Sequence, residues 1–111
     1  MKDNELIMIY GTEYKEMAKQ LLEAANLAER IPSKDARIGL KPNLVSPSEA
    51  SWGATTHPQV VAGAIEYLQA HGFHNLVILE GSWVGDRTGE AFEVCGYSRL
   101  VQEYGVPFID T

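Results

Sequence analysis

Four short, mostly apolar runs constrain what this chain can fold into more than any other feature. They are residues 6–10 (LIMIY), 36–41 (ARIGLK), 75–80 (NLVILE) and 106–110 (VPFID), and helical patterns separate them. Short apolar runs bounded by turn residues are typical of strands buried on both faces. Strands that alternate with helices predict parallel pairing through helical crossovers. We therefore predict an α/β fold.

The expected architecture is a three-layer, open, mainly parallel four-stranded sheet with helices on both faces, in the element order β-α-β-α-β-α-α-β. For the strand order we choose 2-1-3-4, as in flavodoxin-like sheets, over a Rossmann-type start of 3-2-1. Pro107 lies near the start of the fourth run, where a missing ladder donor is tolerated.

Helix boundaries follow from capping and stop residues. Thr12 is the predicted cap of the first helix, which stops before Ile31 because a residue that precedes proline avoids helical angles. The second helix begins at Pro58 and ends where Gly72 can take a left-handed conformation. Two shorter helices are predicted with Thr88 and Ser98 as caps and with Gly96 and Gly105 as stops.

Length and composition favour one globular domain. The chain has 111 residues, of which 45% are hydrophobic. No apolar run approaches the roughly 20 residues of a membrane span, and acids precede the first apolar run where a signal peptide carries positive charge. We expect a cytoplasmic protein with no membrane partner. Cys95 is the single cysteine, so no internal disulfide forms, and we expect no metal or cofactor held by this chain alone.

The charge pattern argues against nucleic acid as a partner. The formal net charge is −6, and the nine basic residues are scattered along the chain. Binding to a phosphate backbone needs a basic patch or stripe. A small ligand is compatible with this charge, because one or two cations at a site matter more to it than the total.

The carboxyl ends of the predicted strands give the candidate site, because ligands of open parallel sheets lie beyond that edge. Two cations, Lys41 and Arg87, fall there beside hydroxyl and imidazole donors. This combination suits a small anion such as a phosphate or a carboxylate. The expected ligand-binding residues are Lys41, Asn43, Thr56, His57, Glu80, Ser82 and Arg87.

Each of these residues also has a simpler interpretation. Lys41 can end a strand in solvent, Asn43 can hold a turn, and Thr56 can cap a helix. A carboxylate at Glu80, at the end of a buried strand, needs a partner of some kind. One alternative is a divalent metal bound by Glu80, Asp86 and His57.

Catalysis is not predicted, and no catalytic residue is assigned. The chain lacks G-x-G-x-x-G, G-x-x-x-x-G-K-[ST] and G-x-S-x-G. The alternative function is a non-enzymatic module that docks a protein or a second copy through the loops of Trp52 and Trp83. Cys95 is expected on an apolar helix face, in the core.

Four segments together resemble a known family. They are KPNLVSP (41–47), ATTHPQVVAGAIEYL (54–68), VILEGS (77–82) and EAFEVCGYSRLVQEYGV (90–106). In this order they are similar to the N-terminal part of the bacterial and archaeal family called domain of unknown function 362. The residues that match its pattern are Lys41, Pro42, Asn43, Thr56, His57, Pro58, Glu80, Gly81, Ser82, Gly96 and Tyr97.

The resemblance implies a redox setting. Members of that family are often fused to, or occur with, ferredoxin-type modules that carry four-iron clusters, so it implies iron–sulfur clusters in a fused or partner module. Such proteins often have Asp where this chain has Glu80. The family domain normally continues beyond a strand such as residues 106–110, and we therefore expect a fragment or short form of a longer domain. An exposed sheet edge would then favour a homodimer.

Overall fold

The protein is described by a computed structural model that covers residues 4–42, 56–80 and 97–110. Within these ranges it contains α-helices, one 3₁₀ turn and a parallel sheet, which confirms the α/β class. The elements are α1 (Tyr14–Ala25), a 3₁₀ turn (Leu27–Arg30), β1 (Ile38–Leu40), α2 (Pro58–Ala70), β2 (Leu76–Glu80), α3 (Tyr97–Tyr104) and β3 (Phe108–Asp110). The short helix predicted between Thr88 and Gly96 lies outside the described residues.

The sheet has the order β1-β2-β3, and both pairings are parallel. Leu40 pairs with Ile78, and Ile78 pairs with Phe108. Leu76, Val77 and Ile78 are all buried, as expected for a strand with a neighbour on each side. The strands predicted at 36–41, 75–80 and 106–110 are therefore confirmed, with slightly shorter bounds.

Pro107 lies directly before β3, where its missing N–H removes no ladder bond. Its carbonyl still extends the ladder, because it accepts a hydrogen bond from the Ile78 N–H at 2.8 Å.

The prediction for residues 6–10 is wrong, and so is the predicted strand order. These residues form no strand, and β1 pairs directly with β2, where the prediction had residues 6–10 between them. Ile7 and Ile9 are half-buried, while Leu6, Met8 and Tyr10 are exposed. An apolar run satisfies the strand pattern whether or not it finds a neighbour, and only long-range packing decides the pairing.

The contacts within the chain divide it into two compact units. The first unit is Met1–Ala36 with Gln59–Asn75, and the second is Arg37–Pro58 with Leu76–Thr111. The first unit contains α1, the 3₁₀ turn and nearly all of α2; the second contains the sheet and α3. The three-layer arrangement and the single domain remain predictions.

In the first unit, α1 and α2 approach closely at Gly63. A Cβ atom at Gly63 would lie 2.8 Å from the Ala18 Cβ and would also meet the Lys15 carbonyl oxygen. Real Cβ atoms do not come this close, so the contact requires a glycine at the crossing. Small residues at a crossing let two helix backbones meet with little side chain between them.

Charged and polar contacts surround this crossing. Glu66 on α2 forms ion pairs with two lysines of α1. Lys15 Nζ lies 3.1 Å from Oε2, and Lys19 Nζ lies 3.1 Å from Oε1. The buried Tyr67 hydroxyl accepts a hydrogen bond from the Ala28 N–H at 2.9 Å. This bond joins the 3₁₀ turn to α2 and gives the part-buried Ala28 N–H an acceptor.

The observed ends of α1 correct two details of the prediction. Glu13, not Thr12, is the N-cap, and it makes no side-chain capping bond. The helix also ends earlier than predicted, because Asn26 adopts a left-handed conformation with φ of 57°. Asparagine tolerates this conformation better than most residues, and pattern alone does not reveal it.

Both predicted ends of α2 are confirmed. The helix begins at Pro58, and Gly72 beyond its end has φ of 89°. The Phe73 N–H donates to the Leu68 carbonyl at 2.9 Å, and the Gly72 N–H donates to the Gln69 carbonyl at 3.1 Å. These two bonds form a Schellman motif, which satisfies carbonyls at the helix end. Gly105, with φ of 67°, ends α3 as predicted.

We predict that Gly63→Ala destabilises the protein, although alanine is the better helix former by about 1 kcal/mol. The added methyl group meets the Lys15 carbonyl and the Ala18 side chain, and overpacking of this kind costs about 1–3 kcal/mol. Urea unfolding followed by circular dichroism measures the difference. The control is Ala24→Gly on the exposed side of α1, which reports the helix propensity alone. A more stable Gly63→Ala variant would contradict the close crossing.

We predict an alkaline loss of stability that depends on Glu66. The hydrogen bond from Lys19 to the Glu66 carboxylate, helped by the charge of Glu16, raises the pKa of Lys19 above its ordinary 10.5. A raised lysine pKa contributes stability that is fully present below pH 10.5 and is lost as the pH rises through the folded-state pKa.

Thermal unfolding across this alkaline range should therefore show a smaller decline for Glu66→Gln than for the original chain. Glu103→Gln, at an exposed position of α3, is the matched control and should decline like the original chain. Equal declines in all three proteins would show that the Lys19–Glu66 contact carries no linked stability.

Candidate functional site

The carboxyl edge of the sheet positions the candidate site. Because β1, β2 and β3 are parallel, their last residues lie along the same edge. Lys41 comes one residue after the Leu40–Ile78 pair, and Glu80 and Asp110 are register partners at the ends of β2 and β3. A lysine and two acidic positions therefore share this edge, as the sequence predicted for Lys41 and Glu80.

Lys41 and Pro42, the two residues that follow β1, lie in different environments. Lys41 is exposed, whereas Pro42 is buried. The buried ring anchors the chain directly after the lysine, and its fixed φ angle limits where the backbone can go. Lys41 is therefore an exposed lysine on a restrained backbone, and a small anion in solution can reach it.

Thr56 and His57 precede α2 and are half-buried. The first turn of a helix presents backbone N–H groups without intrahelical partners and carries a partial positive charge. Pro58, the first residue of α2, has no N–H, so the His57 amide is the last donor before the helix. Polar groups at such a position favour negatively charged ligands.

Tyr97 connects this segment to α3. It is the first residue of α3 and is 0% exposed, and its hydroxyl donates a hydrogen bond to the Thr56 carbonyl at 2.8 Å. Since α3 leads from β2 to the parallel strand β3, its first residue belongs on the carboxyl side of the sheet. The bond therefore places the Thr56–His57 segment on the side where Lys41 leaves β1.

The residue pattern predicts no separate role for Tyr97. It appears only among the residues that match the family pattern. Ser98 was the predicted cap, but α3 begins one residue earlier, at Tyr97, and nothing in the residue pattern signals that the Tyr97 hydroxyl is buried. Only the contact with Thr56, 41 residues earlier in the chain, reveals it.

Several predicted site residues cannot be placed. Asn43, Ser82 and Arg87 lie outside the described residues, as do Trp52, Trp83, Asp86 and Cys95. Glu80 is placed as the last residue of β2, but its side chain lies outside the description. Of the predicted anion-binding set, the structure thus locates the side chains of Lys41, Thr56 and His57, all in the second unit. In the part of the chain that is described, no group of His, Cys, Asp and Glu side chains has metal-binding geometry.

The first unit contains an apolar groove that the sequence analysis did not predict. Its volume is about 320 Å³. It lies between α1, α2 and residues 6–10, whose Ile7 and Ile9 contribute to its lining. The lining residues are Ile7, Ile9, Tyr14, Met17, Ala18, Leu21, Leu22, Val60 and Ala64.

The part of the chain that matches a known protein family includes the residues at the carboxyl edge of the sheet. Residues 38–111 match the family described as Domain of unknown function (DUF362), and this match covers two thirds of the chain. The chain belongs to the DUF362 family. The DUF362 match begins at β1 and includes Lys41, the Thr56–His57 segment and Tyr97. No curated protein and no solved structure matches the chain.

Among the described residues of this DUF362 protein, no helix is both long enough and apolar enough to cross a bilayer.

Proposed function

We propose that this DUF362 chain binds a small anionic ligand at the carboxyl ends of its parallel strands. The observation that carries the proposal is the hydrogen bond from Tyr97 to the Thr56 carbonyl. It links the segment that starts α2 to the first residue of α3, and from the parallel connection we infer that this residue lies on the side of the sheet where Lys41 leaves β1. Lys41, Thr56 and Tyr97 all lie in the second compact unit.

Lys41, Thr56 and His57 have complementary roles in this proposal. The Lys41 ammonium supplies the charge, and the Thr56 hydroxyl and His57 imidazole supply hydrogen bonds. The start of α2 adds a partial positive charge. Asn43, Glu80, Ser82 and Arg87 complete the proposed set from the sequence. A phosphate or carboxylate group has the charge and the acceptor atoms that such donors require.

A redox setting is part of the same proposal. Its support is the family resemblance: iron–sulfur clusters would be carried by a fused or partner module of the ferredoxin type. The cytoplasm is the compartment that we propose, because the sequence contains a single cysteine and disulfide-dependent folds belong to oxidising compartments.

We predict that Lys41→Gln weakens anion binding by about tenfold. A hydrogen bond to a charged group contributes about 1.5–3 kcal/mol. A loss of about 1.4 kcal/mol of binding free energy raises the dissociation constant about tenfold. Isothermal titration with inorganic phosphate, sulfate, citrate and AMP measures the affinity. Thermal shift gives an independent signal, because a ligand that binds only the folded form raises its stability.

Arg99→Gln is the matched control for Lys41→Gln. Arg99 is exposed on α3, and its substitution changes the net charge by the same amount. The control should bind like the original chain. Equal losses in both variants would indicate a diffuse effect of net charge, and no binding by the original chain would refute the proposed function.

The exposed apolar residues at positions 6–10 favour self-association as the second candidate function: the chain would form a homodimer. Leu6, Met8 and Tyr10 are 83%, 59% and 83% exposed, and they alternate with the half-buried Ile7 and Ile9, a period of two that is typical of an extended chain. The backbone groups of Leu6, Ile7, Met8 and Ile9 make no hydrogen bond within the described residues. An extended apolar segment with free backbone donors and acceptors is a template for pairing with another strand.

A second copy of the same segment fits this template. Antiparallel pairing centred on Met8 would place Leu6 opposite Tyr10 and Ile7 opposite Ile9, so both faces of the pair would be apolar. The nearest charged residue, Glu5, would fall opposite Gly11, and no like charges would meet there. Such a contact is self-complementary, as a two-fold dimer requires.

We predict that Met8→Lys abolishes this dimer, because two lysines would face each other at the centre of the paired segments. Sedimentation equilibrium over a range of protein concentrations measures the association. Ile109→Lys is the control, since Ile109 is also an exposed apolar residue, at 44%, but lies on β3. A dimer that survives Met8→Lys and is lost with Ile109→Lys would assign the contact to the β3 edge.

A further inference from the structure

The buried hydroxyl of Tyr97 has a consequence for the backbone of the candidate site. Tyr97 is 0% exposed, and a buried hydroxyl without a hydrogen-bond partner destabilises the folded state. Its partner is the Thr56 carbonyl at 2.8 Å. The bond therefore restrains the orientation of that carbonyl.

The carbonyl orientation determines the direction of the next amide. The peptide group that joins Thr56 to His57 is planar, and the described chain contains no cis peptide bond. In a trans peptide the C=O and the N–H point in opposite directions. Holding the Thr56 carbonyl toward Tyr97 therefore points the His57 N–H away from Tyr97.

The His57 amide is significant because Pro58 follows it. Proline has no N–H, so the first helical residue of α2 offers no donor. An error in the orientation of the Thr56–His57 peptide would rotate the donor that precedes the helix away from the ligand. It would also change the direction in which the His57 side chain leaves the backbone.

We propose that Tyr97 is a positioning residue of the anion site, which acts by holding the Thr56–His57 peptide in the orientation that binding requires. The inference rests on the proposed function, since it assigns Tyr97 a role in that same site. Tyr97 does not itself contact the ligand. Its ring fills part of the core of the second unit, and its hydroxyl aligns the peptide.

The chain supplies a matched control for the loss of this hydroxyl. Tyr67 is 3% exposed, and its hydroxyl also makes a hydrogen bond to a backbone group, the Ala28 N–H at 2.9 Å. Tyr67 belongs to the first unit, whereas the proposed site belongs to the second. Tyr97→Phe and Tyr67→Phe therefore remove the same atom from similar environments, and only one of them affects the Thr56–His57 peptide.

The experiment compares these two variants with the original chain. Titration with inorganic phosphate measures the affinity, and the amide chemical shift of His57 in a ¹⁵N-labelled sample reports the peptide orientation. We predict that Tyr97→Phe lowers the phosphate affinity about three- to tenfold and moves the His57 amide resonance without ligand. Tyr67→Phe should lower the unfolding temperature similarly and leave the affinity and the resonance unchanged.

Incorporation of 4-aminophenylalanine at position 97 provides a rescue that keeps the ring and restores an N–H donor. It should return the affinity and the resonance toward those of the original chain, and it keeps the test valid if Tyr97→Phe does not fold. An unmoved His57 resonance with unchanged affinity in Tyr97→Phe would overturn the positioning role, and so would equal losses of affinity in both phenylalanine variants. If the original chain does not bind phosphate but the resonance moves, the proposed function fails while Tyr97 still positions the peptide.

Discussion

Parallel pairing of β2 with a strand on each side is the constraint on which the rest of the second unit depends. It buries three consecutive apolar residues, and it sends the ends of β1, β2 and β3 to the same edge. Parallel strands require crossover connections, and these bring helix starts back to that edge. A slip of one residue in register would turn every side chain of a strand to the opposite face. The location of Lys41 is thus a consequence of strand pairing.

The hydrogen bond between Tyr97 and Thr56 adds a restraint that strand pairing does not supply. Loops beyond a sheet edge can adopt many conformations, and ordering them costs conformational entropy. A single buried hydroxyl, which must be satisfied, selects among those conformations at the start of α2. For the proposed anion site, donors held in place before binding would lower the ordering cost of binding a ligand.

The first unit depends on a different kind of contact. α1 and α2 meet at Gly63, where no side chain larger than hydrogen fits, and Glu66 gathers Lys15 and Lys19 beside the crossing. The two helices and the segment at residues 6–10 line an apolar groove. That segment turns Ile7 and Ile9 into the groove and leaves three large apolar side chains in solvent. Exposed apolar residues in such a row mark a surface that is suited to a partner.

Much of the architecture could be predicted from local signals. Pro58 and Gly72 marked both ends of α2, Gly105 marked the end of α3, and the runs at 75–80 and 106–110 were recognised as strands. These signals work because proline and glycine restrict or extend the backbone angles of single residues, whatever surrounds them. The early end of α1 at Asn26 was missed, since asparagine is compatible with helical and left-handed angles alike.

By itself, the sequence determined the α/β class, the direction of the strands, the helix boundaries that proline and glycine set, and the placing of Lys41 beyond β1. Tertiary structure alone decided that residues 6–10 stay outside the sheet, that β1 lies beside β2, that α1 meets α2 at Gly63, and that Tyr97 bonds to Thr56. The physical reason is the range of each effect. Backbone angles and hydrophobic periodicity are local properties, whereas strand neighbours, close approaches and partners for buried hydroxyls depend on residues dozens of positions apart.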